Sequence, residues 1–177
     1  MTITPDGKDW TWVLNERCPE CGFESWAFPR EQIGVLVRTN AAQWCEVLRR
    51  SDVRERPNPA TWSPLEYACH VRDVYRKYDE RLRLMLEAHD PLYPNWDQDV
   101  TALEARYDQQ DPAVVADELA AAGDAVANAF DGVSDDGWDR PGRRSDGASF
   151  TVESIGRYFV HDWIHHIWDV SRDQTAT

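Results

Sequence analysis

Three of the five histidines in this 177-residue chain fall in one short stretch, His161-Asp162-Trp163-Ile164-His165-His166. On a helix His161 and His165, four residues apart, lie one above the other on the same face. Two imidazoles at that spacing can bind one metal ion, as the two His of a helical HExxH motif do. His166 is turned by about 100° from His165 at ~3.6 residues per turn, so it is expected to stand outside that pair. Asp162 adjoins His161 in sequence but is expected to point elsewhere. A catalytic zinc takes three protein ligands and keeps a position open. The best third ligand is His70, which falls on the apolar stripe of another helical segment, where a polar side chain needs a reason to be. If the two helices face each other, His70, His161 and His165 converge in the interior. The competing reading makes all three core histidines, hydrogen-bonded to carboxylates and holding no metal. Asp73 and Asp169 lie within helical reach of His70 and His165, either as orienting partners or as solvated carboxylates.

A second group of metal-type residues is Cys18-Pro19-Glu20-Cys21-Gly22. It resembles one knuckle of a zinc ribbon, but a structural zinc needs four ligands and the second CxxC is missing. Cys45, Cys69 or a histidine would have to complete it. A redox pair or plain reduced thiols are the alternatives. The run Arg140-Pro141-Gly142-Arg143-Arg144-Ser145-Asp146-Gly147 is the one basic spot in an acidic chain and precedes the His-bearing segment. Arg143 and Arg144 could receive a substrate carboxylate or phosphate, or simply balance nearby aspartates in a solvated loop. Trp62 and Trp96 could line a cleft, or only pack.

Four long helices are expected to position these residues. Residues 29–50 carry Ile33, Leu36, Val37, Ala41, Trp44 and Leu48 at helical spacings. Residues 63–89 open with Ser63-Pro64-Leu65-Glu66, a capping box with proline at the first helical position, and turn Tyr67, His70 or Val71, Val74, Tyr78, Leu82 and Met85 inward. A short helix is expected at 101–107. Asp111-Pro112 starts an Ala-rich helix reaching about residue 130, and the last runs from 151 to 171. No strand is expected. The pattern predicts an all-α four-helix bundle over residues 29–177, preceded by an irregular arm, residues 1–28, that carries the CxxC.

Composition excludes several functions. There are 19 Lys+Arg against 32 Asp+Glu, a net charge of −13, the wrong sign for a nucleic-acid binder. No apolar run approaches the ~18 residues of a membrane span. Residues 1–10 lack a basic cluster followed by an apolar stretch, so no export signal is expected. Four cysteines in a chain of this size do not read as a disulfide scaffold, and a reduced, cytoplasmic protein is expected.

The segment Trp62-Ser63-Pro64-Leu65-Glu66-Tyr67-Ala68-Cys69-His70, followed by His161-Asp162-x-x-His165-His166, resembles the DinB/YfiT-like metalloprotein superfamily. That superfamily includes thiol S-transferases and the N-terminal domain of mycothiol-dependent maleylpyruvate isomerase. The resemblance, covering roughly residues 29–172, implies a metal site of one His from the second helix and an i, i+4 pair from the last long helix. Carried onto this chain, these are His70, His161 and His165; in some relatives the first residue of the pair is Glu. It further implies a divalent metal, zinc or nickel, a small-molecule substrate and a homodimer. A bound ion would hold a coordinated thiol as thiolate. Transfer of a low-molecular-weight thiol of the mycothiol type to an electrophile is therefore the first functional expectation, with hydrolysis beside it. The alternative is a non-catalytic metal-binding stress-response bundle. A site closed by a fourth protein ligand, His166 or Glu66, would favour that alternative.

Overall fold

The second long helix begins where the capping box requires. In the computed structural model, which describes residue 3 and residues 9–172, Ser63 Oγ accepts from the amide of Glu66 at 3.3 Å, and Glu66 Oε2 accepts from the amide of Ser63 at 2.8 Å. Arg56 then grips the same carboxylate with two nitrogens, Nε at 2.8 Å. Thus α2, Pro64–Glu87, is anchored at its start by a buried, fully partnered carboxylate. Its far end is held by Arg140, which donates to the carbonyls of Met85 and Ala88, each at 2.7 Å. A guanidinium there satisfies carbonyls that the helix leaves without partners.

The other helices follow the apolar periodicity. They are α1, Ile33–Val47, entered through a 3₁₀ turn at Arg30–Gln32; α3, Gln98–Glu104; α4, Pro112–Asp131; and α5, Val152–Arg172. Asp111 caps α4 by accepting from the Ala113 amide at 2.8 Å. Thr151 and Ser154 exchange amide-to-hydroxyl bonds at 2.9 and 3.1 Å at the start of α5. In α1 the expected stripe is buried at Ile33, Val37, Ala41, Trp44 and Leu48, and in α2 at His70, Val71, Val74, Tyr78, Leu82 and Met85. Small residues let the helices close up: a Cβ on Gly123 of α4 would sit 3.2 Å from both Ala41 of α1 and the Tyr75 ring of α2. A buried polar link joins three helices, with Tyr75 donating to Asn40 at 2.7 Å and Asn40 to the Trp163 carbonyl at 3.4 Å. The chain is therefore an all-α bundle with an irregular N-terminal region. No helix among the described residues is long and apolar enough to cross a membrane.

Two features depart from the sequence expectation. A three-stranded sheet is present: β1, Leu92–Tyr93, runs parallel to β2, Pro141–Arg144, which runs antiparallel to β3, Ser149–Thr151. Strands of two to four residues are too short to show a period-two pattern, which is why they are not legible in the sequence. The short helix also lies three residues earlier than expected, because Asp97 caps it by accepting from the amides of Asp99 and Val100. The arm, as far as it is described, packs on α5 through Val13, Cys18 and Phe23, all buried. Arg157 of α5 donates to the Phe28 carbonyl at 3.1 Å and also to that of Ser25. Most of the segment read for an export signal, and the last residues of the expected 29–177 unit, lie outside the described residues.

The capping carboxylate yields a stability prediction. Burial raises the Glu66 pKa, but Arg56 and Ser63 outweigh it and hold the group below the usual carboxylate range. A depressed folded pKa gives a contribution complete above the unfolded value, near about 4.3, and lost as pH falls through the folded value. Glu66→Ala is expected to lower unfolding stability at neutral pH by about 2 kcal/mol in urea titrations. Glu66→Gln should flatten the acid-side loss between about pH 5 and 3. Unchanged stability in both variants would show that the network does not anchor α2.

Candidate metal centre

Helix α5 carries two i, i+4 pairs one residue out of phase, His161/His165 and Asp162/His166. A step of one residue turns the side chain by about 100°, so the two pairs face different neighbours. The structure accordingly divides the expected three-His set between two groups. His70 of α2 meets Asp162 and His166, whereas His161 and His165 meet Cys18 and Cys21 of the arm; within each group one ligand atom per residue lies within 4.8 Å of every other.

In the first group, Nε2 of His70 lies 3.4 Å from Asp162 Oδ1, and Nε2 of His166 lies 3.8 Å from the same oxygen. Ligands about 2.0–2.2 Å from a tetrahedral ion stand roughly 3.4 Å apart, so these atoms suit a shared cation. Both ring nitrogens of His70 and Asp162 Oδ1 are buried and lack a hydrogen-bond partner among the described residues. Buried polar atoms are rarely left so, and a cation between His70 Nε2 and Asp162 Oδ1 answers those two at once. Burial pushes the His70 pKa down, leaving the neutral imidazole that ligates. Burial alone would raise the Asp162 pKa, but the neighbouring His70, His166 and His161 rings outweigh it and hold the carboxyl at about 2. Nδ1–H of His166 donates to Asp169 at 3.3 Å, which leaves Nε2 for a metal. This is the carboxylate–histidine arrangement that orients metal ligands. The His70 ring is clamped by Trp96, stacked at 5.5 Å between centroids, and by Trp62 at 5.4 Å.

In the second group, Cys18 Sγ lies 3.7 Å from His165 Nδ1. His161 Nε2 is buried without a hydrogen-bond partner among the described residues, and burial lowers the pKa of that ring to about 4. Burial pushes the Cys21 thiol up to about 12, against hydrogen bonds from the Phe23 amide and its own. Cys45 and Cys69 are placed elsewhere, against the carbonyls of Ala116 and Tyr107 at 3.9 Å. The two histidines therefore join the knuckle in their stead.

Asp162 and His166 of the first group and His161 and His165 of the second line a cavity of about 960 Å³ bordered by α2, α5, the arm and the sheet. Trp62, Trp96 and Arg144 line it; Arg143 does not, and instead pairs with Asp90 at 3.0 Å. Successive side chains of a strand point to opposite faces, so β2 sends Arg144 inward and Arg143 outward. Arg144 pairs with Asp146 at 2.8 Å and lies over the Tyr158 ring. Arg81 is a cavity residue that the sequence reading did not single out. It is 5% exposed, it lies over the rings of Tyr78 and Tyr93, and its Nε has no hydrogen-bond partner among the described residues. Its spacing of three from Tyr78 was the available signal. For Asp162 and His166 the signal was that their i, i+4 spacing repeats that of His161 and His165. Asp73, by contrast, is engaged by Arg72, Arg76 and Tyr107 rather than by His70. Glu66 serves the α2 cap and supplies no ligand to either group.

Comparison with known proteins agrees with this architecture. Among solved structures the chain is similar to YfiT from Bacillus subtilis, described as a probable metal-dependent hydrolase with an unusual four-helix bundle topology. The TM-score is 0.69 at 19% identity, over 84% of this chain and 87% of that one. At that identity the likeness speaks for the fold. No curated protein matches. The model of the DinB superfamily matches residues 35–170, all four long helices nearly in full. The chain belongs to the DinB superfamily.

Proposed function

We propose that this protein is a metal-dependent enzyme of the hydrolase type, that His70, Asp162 and His166 hold its divalent ion, and that its substrates carry an anionic group. The observation that carries this reading is the convergence of ligand atoms from His70, Asp162 and His166, the last two of which line a large cavity. The site keeps the plan of one ligand from the second helix and an i, i+4 pair from the last, with Asp162 and His166 as the pair instead of His161 and His165. Two histidines and one carboxylate form the donor set of hydrolytic zinc centres, with a position left for water or substrate. Zinc is the first candidate and nickel the second. A divalent ion there supplies Lewis acidity, polarising a substrate oxygen and easing deprotonation of water at neutral pH.

The chain's own residues do the rest. Asp162 enters as carboxylate and His70 as a neutral ring, so neither must lose a proton before a cation is bound. Trp96 and Trp62 fix the plane of His70. Arg81 donates to the Pro94 carbonyl at 3.2 Å but its Nε has no hydrogen-bond partner among the described residues, and a buried guanidinium in that condition favours an anionic ligand. Arg144 stands beside the cavity with its charge already shared by Asp146. Burial keeps the proton on the Tyr158 hydroxyl, making it a donor at the cavity wall. A low-molecular-weight thiol of the mycothiol type is the other nucleophile the centre could activate, and the tests separate the two.

Metal-loaded protein is expected to hydrolyse members of a panel of carboxylate- or phosphate-bearing esters and amides. Asp162→Asn should lower kcat/KM by more than about 100-fold, with a parallel loss of metal affinity by calorimetry. Arg81→Met should raise KM about tenfold for anionic substrates and leave neutral isosteres unaffected, the loss of one charge-assisted contact. Product formed only when a small thiol is added would replace hydrolysis by thiol transfer. No turnover under either condition, with metal bound, would return the protein to a non-catalytic binding role.

A further inference from the structure

The proposed catalytic centre leaves Cys18, Cys21, His161 and His165 without an assignment. We infer that these four residues form a second, closed zinc site that clamps the N-terminal arm onto α5 and thereby fixes one wall of the cavity. Two thiolates and two imidazoles complete a tetrahedral zinc shell, the pattern of a structural site with no position left for substrate. The spacing agrees: sulfur and nitrogen ligands of one zinc stand roughly 3.5 Å apart, and Cys18 Sγ and His165 Nδ1 are 3.7 Å apart. All four ligand atoms lie within 4.8 Å of one another, with Cys18, His161 and His165 buried.

The surrounding backbone is built as a knuckle. Gly22 takes φ +76°, a left-handed conformation that glycine adopts without strain. The amide of Gly22 donates to the Cys18 carbonyl at 3.0 Å and that of Cys18 to the Phe23 carbonyl at 2.8 Å, closing the turn that carries both sulfurs. His165 has its Nδ1 toward Cys18 and its Nε2 toward two carboxylates, Glu20 at 3.6 Å and Asp169 at 3.9 Å. That division, metal on one nitrogen and carboxylate on the other, is how ligating histidines are oriented. Trp10 packs over both rings of the pair, at 5.4 and 5.2 Å between centroids, and Phe23 over His161 at 5.3 Å, which shields the site from water.

The chemistry also separates the two centres. Zinc binding here displaces one proton from each thiol, and two thiolates cancel its charge. The ion at His70, Asp162 and His166 would keep a net positive charge and an open position. One centre thus suits a structural role and the other Lewis-acid chemistry, although both hang from α5. The clamp is where the arm gains order: its described residues include no long helix or strand of their own, only a 3₁₀ turn at Thr11–Leu14.

Cobalt substitution and proteolysis test the site. Wild-type protein loaded with Co(II) is expected to show an intense near-ultraviolet thiolate-to-cobalt band. The band should vanish in Cys18→Ser and in His161→Ala, and survive in His70→Ala. Zinc content should fall by one equivalent per chain in either of the first two variants. Trypsin cleavage after the exposed Arg17 should accelerate at least tenfold when zinc is withdrawn or Cys21 is replaced by Ser. Should the variants fold poorly, X-ray absorption of the wild-type zinc protein is expected to show sulfur neighbours at about 2.3 Å. Absence of sulfur neighbours, a band that persists without His161, or isolation of Cys18 and Cys21 as a disulfide without zinc would overturn the site. Zinc bound through sulfur with no change in cleavage would overturn its clamping role. A thiolate band lost in the cysteine variant but retained in His70→Ala stands whether or not the protein proves to be a hydrolase.

Discussion

Helix α5 presents two ligand pairs one residue out of phase, and a rigid helix cannot turn both toward one partner. The pitch of the α-helix therefore dictates much of the molecule. Asp162 and His166 must face α2, where His70 waits on an otherwise apolar stripe. His161 and His165 must face another surface, and among the described residues the metal-type side chains gathered with them are Cys18 and Cys21. The arm fills that place, bringing Cys18 and Cys21 against the helix. Asp169, one turn further on, lies between the pairs, 3.3 Å from His166 and 3.9 Å from His165, so a single carboxylate touches a ring of each group.

Burying so many polar rings has a cost that the surroundings must offset. Desolvation lowers the pKa of His70, His161 and His165 and removes the option of carrying a charge. Neutral imidazoles with unsatisfied nitrogens are poor core residues but good ligands. The aromatic side chains around them, Trp62 and Trp96 at His70 and Trp10 and Phe23 at His161, hold the rings without competing for their nitrogens. This accounts for part of the high tryptophan content, nine residues in the chain.

The bundle supplies rigidity, and the irregular parts line much of the cavity. The capping network of Ser63, Glu66 and Arg56 fixes the start of α2, and Arg140 fixes its end, so His70 is mounted on a helix restrained at both termini. The small sheet has a different use. By pairing β2 between β1 and β3 it converts a run of consecutive arginines into one inward and one outward side chain, Arg144 and Arg143. Arg81, carried inward by α2, supplies the second cationic group of the cavity wall.

Much of this was legible in the sequence, and for definite reasons. Caps and helical periodicity are local, so the start of α2 at Pro64, the start of α4 at Pro112 and the inward face containing His70 could be read from neighbouring residues alone. The His161/His165 spacing likewise marked a candidate ligand pair, and the lone CxxC marked a candidate knuckle that would need distant ligands to complete it. What the sequence could not decide was which pair faces which partner. Rotating α5 by one residue about its axis exchanges His161/His165 for Asp162/His166 opposite His70, and both registers satisfy the same local rules. Only the packing of α5 against α2, α1 and the arm selects between them, because Phe159, Val160 and Trp163 must be buried at the same time. Which side chains gather in each group is thus a long-range consequence of how one amphipathic helix is turned in the assembled bundle.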